Sequence, residues 1–134
     1  MSSFKELVQE SIENNSGITL IIQGPRGCGK TKTVNEAFKR LKNVVHFPGF
    51  LARPALYPDT AKALLAILPK NQDHLSLEGY LEGLRELLVI VIEDIDLLAG
   101  NTIQQAFLYS LFEASLSKPL IVAATTRRLV SLKN

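Results

Sequence analysis

The stretch Gly24-Pro25-Arg26-Gly27-Cys28-Gly29-Lys30-Thr31 limits what this chain can fold into more than any other feature. It fits G-x-x-x-x-G-K-[ST] at every fixed position, and it joins a short apolar run, Ile18 to Ile22, to a segment of helical spacing, Lys30 to Lys42. A strand, a glycine-rich turn and a helix in that order form a phosphate cradle. The glycines let the backbone curl with its N–H groups pointing inward, and the helix start adds the positive end of its dipole. Lys30 brings a full charge to the β- and γ-phosphates, and the Thr31 hydroxyl can ligate Mg²⁺. The expected ligand is ATP with Mg²⁺, held by Gly24, Pro25, Arg26, Gly27, Cys28, Gly29, Lys30 and Thr31. Cys28 occupies a variable position and reads as a small filler.

The rest of the pattern agrees with that unit. Ser3 and Glu6 form a capping box ahead of Phe4, Leu7, Val8, Ser11 and Ile12, so a helix is expected over 3–14, stopping in Asn14-Asn15-Ser16-Gly17. Ile18 to Ile22 reads as a strand buried on both faces, as parallel strands are. The helix after the glycine-rich turn carries Val34, Ala37, Phe38 and Leu41 on one face, with Lys39, Arg40 and Lys42 in its last turn complementing the dipole. Val44 to Phe47 is a second strand. Asp59 or Thr60 opens a helix ended by Pro69, and Ser76 opens another, weakened by Gly79 and Gly83. Leu88 to Ile92 is a third strand and Leu120 to Ala124 a fourth. Between them Thr102 to Ser115 is helical, with Ile103, Ala106, Phe107, Leu111 and Phe112 as its buried stripe. Strands alternating with helices give an α/β class, a P-loop NTPase parallel sheet with flanking helices, in one domain over 1–134.

The third strand runs into Glu93-Asp94, with Asp96 close behind. In P-loop ATPases the strand carrying the metal-associated acid ends beside the phosphate loop. Glu93 is therefore expected at the metal and Asp94 as the catalytic acid that polarises water. Thr125 and Thr126 follow the last strand, where a polar side chain can hold water or sense the γ-phosphate, and Thr126 is the favoured catalytic candidate. Arg127 and Arg128 read as solvated cations. His46 reads as an ordinary strand histidine, and with His74 remote there is no metal-site spacing.

Composition removes other classes. The 134 residues are 46% hydrophobic and 21% charged, which suits one compact domain. No apolar run approaches the ~18 residues of a membrane-crossing helix, and Met1 to Glu10 is amphipathic and mixed in charge, unlike a secretory signal. Cys28 is the single cysteine, so no internal disulfide forms and a reducing compartment is expected. A net charge of +2 without a basic stripe does not by itself imply nucleic-acid binding. There is no N-K-x-D signature for guanine, and the acidic strand end with its threonines argues against a small-molecule kinase.

These motifs together resemble the AAA+ domain of the origin recognition complex subunit 4 family, over nearly the whole chain. The phosphate loop is similar to that family's G-P-R-G-x-G-K-T. Val44 to Leu51 resembles the segment after its second strand, and Glu93-Asp94-Ile95-Asp96-Leu97-Leu98-Ala99 its D-E-F-D-L-F-A. Leu108-Tyr109-Ser110-Leu111-Phe112-Glu113 is close to its L-L-Y-N-L-F-D, and Thr125-Thr126-Arg127-Arg128-Leu129 resembles its sensor segment within 120–129. The resemblance implies a nuclear subunit that binds ATP at an interface with other AAA+ subunits and meets origin DNA mainly through the assembled complex, with no membrane role. In that family the nucleotide of this subunit is largely structural. Two departures matter. AAA+ proteins usually carry Asp then Glu after the third strand, and the order here is reversed. No segment reads as the fifth strand, the helical lid or the winged-helix domain, so Ile18 to Ile22 is expected at a sheet edge. The alternative is an active ATPase of a related clade, of archaeal-initiator or clamp-loader type.

Overall fold

The computed structural model describes residues 4–24, 30–48, 60–69, 76–93, 95 and 102–126. Nine elements alternate along them: α1 (Phe4–Asn14), β1 (Ile18–Gln23), α2 (Lys30–Phe38), β2 (Val44–Pro48), α3 (Thr60–Ile67), α4 (Leu77–Glu82), β3 (Leu88–Glu93), α5 (Thr102–Ser117) and β4 (Leu120–Thr126). The four strands form one sheet in the order β1-β4-β3-β2, and every pairing is parallel. All carboxyl ends therefore lie on one edge. This is the parallel α/β sheet with flanking helices that the alternation of elements called for.

Chain direction reverses across the sheet. From β1 the chain crosses two strand positions to β2, then steps back through β3 to β4. Parallel crossovers are right-handed, so a reversal of direction moves the covering helices to the other face. The packing follows that rule. Val8 of α1 and Val34 and Phe38 of α2 cover Leu20, Val89, Val91, Ile121 and Ala123. On the opposite face α3, α4 and α5 cover Val45, Phe47, Leu88, Ile90, Ile92, Leu120, Val122 and Ala124. β3 and β4 are central and buried on both faces, which explains their unbroken apolar runs.

β1 departs from the expectation of a strand buried on both faces. It is an edge, where only Leu20 is buried and Ile21 is 55% exposed. Its anchorage comes partly from a polar contact: the Thr19 and Ser115 hydroxyls lie 2.6 Å apart, and Ser115 is buried. The stripe of α5 is also rotated from the expected one. Phe107, Leu108, Leu111 and Ser115 are buried, Phe112 is half-buried, and Ala106 is exposed.

Helix ends follow local chemistry. α1 stops where Asn15 takes φ 47°, a left-handed conformation that asparagine tolerates, and the Asn15 side chain then donates to the Arg85 carbonyl at 3.2 Å. α2 ends at Phe38, earlier than the expected Lys42, with Leu41 N–H closing a turn on the Phe38 carbonyl at 3.0 Å. Lys39, Arg40 and Lys42 thus lie in the α2–β2 turn and not in the helix. α4 has only six residues, capped by Ser76, whose Oγ accepts from Gly79 N–H at 3.1 Å. The Tyr80 hydroxyl donates to the Pro69 carbonyl at 2.6 Å, and burial pushes its pKa up. Ser76→Ala removes the cap and is expected to cost about 1 kcal/mol, read as a lower urea midpoint at unchanged slope.

Candidate functional site

The crevice of an open parallel sheet lies outside the carboxyl ends of its strands, where the direction of winding reverses. Here that place is between β1 and β4. β1 feeds α2 on one face, while β4 is reached from α5 on the other. The sequence puts its phosphate motif at this point. Gln23 ends β1 in register with Thr126, and Gly24 N–H donates to the Thr126 carbonyl at 3.1 Å. The first glycine of the motif is thereby tied to the end of the neighbouring strand. α2 begins at Lys30, so the glycine-rich turn spans the gap from sheet to helix start. Pro25, Arg26, Gly27, Cys28 and Gly29 lie outside the described residues, as do the side chains of Lys30 and Thr31.

Strand alternation settles which face each end residue takes. The odd positions of β3 and β4, Val89, Val91, Ile121 and Ala123, face α1 and α2. Continuing the series, Glu93 and Thr125 also point to the α2 face. The register sets Ile92 against Ala124, so one step further Glu93 stands beside Thr125. On β1, Ile22 packs with the same face and pairs with Thr125. Thr126 belongs to the even series and points to the α5 face, while its carbonyl holds Gly24. Thr125 is therefore the threonine that shares a face with Glu93 and the helix that follows the phosphate loop. Both threonines are buried, and Glu93 is half-buried. Asp94, Asp96, Arg127 and Arg128 lie outside the described residues.

The donor set at this edge suits a metal–nucleotide ligand. On the α2 side it combines the half-buried Glu93 carboxylate and the buried Thr125 hydroxyl, next to the glycine that starts the loop. Glu93 and Thr31 are the residues that would meet Mg²⁺, with the remaining ligands coming from phosphate and water, as Mg²⁺ prefers. Among the described residues no three His, Cys, Asp or Glu side chains come together as a self-sufficient metal cage. A further cleft lies away from this edge. A volume of about 740 Å³ opens between α3, α4 and α5, rimmed by Glu78, Glu82 and Glu113. Lys62 lines it as well, and Gly24, Glu93 and Thr125 do not, so it is separate from the edge that carries the phosphate motif. No described helix is long and apolar enough to cross a membrane.

Residues 20–134 match the family described as ATPase family associated with various cellular activities (AAA). No curated protein matches the sequence. Among solved structures, the chain is similar to the Orc1 protein of Aeropyrum pernix in complex with DNA, at a TM-score of 0.68 and 18% identity over 93% of this chain and 37% of the other. It is also similar to a mutant of RuvB from Thermotoga maritima, at 0.59 and 17% identity over 90% and 35%. The replication initiator DnaA bound to AMPPCP and single-stranded DNA is similar at 0.55 and 22% identity over 92% and 37%. At these identities the likeness is one of fold, and the chain spans little more than a third of each relative.

Proposed function

The chain belongs to the ATPase family associated with various cellular activities, and on that premise we propose that it is an ATP-binding subunit of a eukaryotic origin recognition complex, similar to subunit 4. Bound nucleotide serves mainly a structural or switching role there, and the setting is replication initiation in the nucleus. The observation that carries the nucleotide reading is the tie from Gly24 to the end of β4, which sets the phosphate motif beside the Glu93–Thr125 pair. Gly24 to Thr31 hold the phosphates, and Thr31 and Glu93 hold Mg²⁺. Asp94 polarises water, and a threonine at the end of β4 senses the γ-phosphate: Thr126 is the candidate from the sequence, while the face shared with Glu93 favours Thr125. The replication initiators among the structural relatives support the setting. Its partners are other AAA+ subunits, with origin DNA met mainly through the assembled complex.

The reversed acids favour binding over turnover. The phosphate loop supplies most contacts to the ligand, so affinity survives, while a water-polarising acid one methylene short is displaced by roughly 1 Å. ATP bound to the folded state then stabilises it by RT ln(1 + [L]/Kd). A second reading, an active ATPase of archaeal-initiator or clamp-loader type, draws support from the 0.68 TM-score with an archaeal Orc1. Titration with Mg-ATP and phosphate release in the same samples separates the two. The expected result is saturable binding, weakened roughly a hundredfold in Lys30→Ala through loss of about 3 kcal/mol of charged hydrogen bonding, with release at background. Steady release that depends on Lys30 selects the second reading, and a wild type that does not bind overturns both.

A further inference from the structure

The surplus positive charge is not spread over the molecule. Between Lys30 and His46 five cations stand against the single acid Glu36, which leaves ten basic residues against twelve acidic in the rest of the chain. Lys30 belongs to the phosphate loop. The other four, Lys32, Lys39, Arg40 and Lys42, are exposed, and none has an ion-pair partner among the described residues. Because α2 stops at Phe38, Lys39, Arg40 and Lys42 leave the helix and gather in the turn before β2. Lys32 stands about 10 Å further back along the helix, at 1.5 Å per residue.

A cleft of about 190 Å³ opens where this turn meets β2. Phe38, Leu41 and Val44 give it an apolar floor, while Asn35, Lys39 and His46 put polar groups on its wall. Val45 and Phe47 face the α3–α5 side, so alternation turns His46 toward α2. The carbonyl end of α2 also lies here and opposes an anion with roughly half a charge. Lys39 lines the cleft, and the exposed Arg40 and Lys42 follow it in the same turn, so three full charges stand against that partial one.

We propose that this cleft and its cationic rim form a binding site for the phosphodiester backbone of a nucleic acid, at the opposite end of α2 from the phosphate loop. Lys39, Arg40 and Lys42 neutralise successive phosphates, Asn35 and His46 hydrogen-bond one of them, and the apolar floor takes its sugar. The site goes beyond the proposed function, in which DNA is met mainly through the assembled complex, and it does not require bound nucleotide.

The test is fluorescence anisotropy of a labelled DNA duplex, titrated with the full chain at salt from ~50 to ~200 mM. The triple variant Lys39→Ala, Arg40→Ala, Lys42→Ala is expected to bind at least ~10-fold more weakly, with the slope of log K against log salt reduced by about 3. An equal loss of charge elsewhere, Lys62→Ala with Arg85→Ala and Lys118→Ala, is expected to leave that slope unchanged. Circular dichroism checks that both variants fold. Equal weakening by the two triples means that net charge alone draws the DNA, and overturns the site. So does absence of duplex binding by the wild type, or capture of anionic lipid vesicles in place of duplex. ATP titration of the same samples keeps the questions apart, since a chain that fails to bind ATP yet loses DNA through the first triple alone sinks the nucleotide reading and leaves this one standing.

Discussion

Gly17→Ala is expected to destabilise the fold by about 3 kcal/mol, lowering the thermal midpoint by roughly 10 °C for a domain of this size. Gly17 sits at the entry to β1, where the chain passes under the end of α5. A Cβ placed there would fall on the carbonyl oxygens of Ser115 and Lys118 and 2.6 Å from that of Leu120. All three are backbone atoms, so no flexible side chain can move aside. Relief requires shifting the α5–β4 connection or β1 itself, and both are held. Thr19 is bonded to Ser115, Lys118 N–H donates to the Ala114 carbonyl at 2.9 Å, and β1 pairs with β4 along its whole length. Gly83→Ala is the matched control. The nearest atoms to its Cβ would be at 3.8 Å, an ordinary contact, so a change within about 1 kcal/mol is expected. Calorimetry on the two variants reads both. Equal midpoints would mean that the close approach at Gly17 does not exist in solution.

Exchanging the acids, Glu93→Asp together with Asp94→Glu, is expected to raise phosphate release about a hundredfold over wild type. The argument rests on reach. Glu93 ends β3 on the α2 face beside Thr125, so a shorter aspartate there still stands on the phosphate-loop side. The next position then gains a methylene, which restores about 1 Å of reach toward attacking water, and errors on that scale cost about a hundredfold in rate. ATP affinity should change little, because the phosphate loop is untouched. Single-turnover release with a Lys30→Ala background as control provides the measurement. A rise confined to the exchanged protein supports a subunit that binds and does not turn over. Wild-type release already equal to that of the exchanged protein assigns the chain to an active clade.

Most elements were legible because their signals are local. The Ser76 cap, the apolar runs of β3 and β4 and the turn chemistry at Asn15 each lie within a few residues. Strand and helix positions followed from them, with ends displaced by one to four residues. Misreadings arose where a distant residue decides the outcome. The apolar run of β1 by itself read as buried on both faces, and only the fifth strand missing from the family resemblance pointed to the edge it occupies, because burial depends on which strand stands beside it. Ala106 looked like core from its spacing and is exposed, because Phe107, Leu108 and Leu111 take the face of α5 that packs on the sheet. α2 has residues able to continue past Phe38, but β4 and β3 lie between β1 and β2, and the chain must leave the helix to reach Val44.

Local sequence supplies the chemistry on offer: a glycine-rich turn of phosphate-motif pattern between strand and helix, a carboxylate at a strand end, threonines at another, and an α/β alternation that makes the sheet parallel. Covalent order fixes these, since each depends on neighbours along the chain. Which of them meet is settled by strand order and register. The order β1-β4-β3-β2 put the phosphate turn beside β4 and not beside β2, and the register of β3 on β4 chose Thr125 over Thr126 as the neighbour of Glu93. A shift of one residue would have reversed that choice, because side chains alternate faces with a period of two. Register is set by the packing of two buried faces at once, and no local stretch of sequence contains that information.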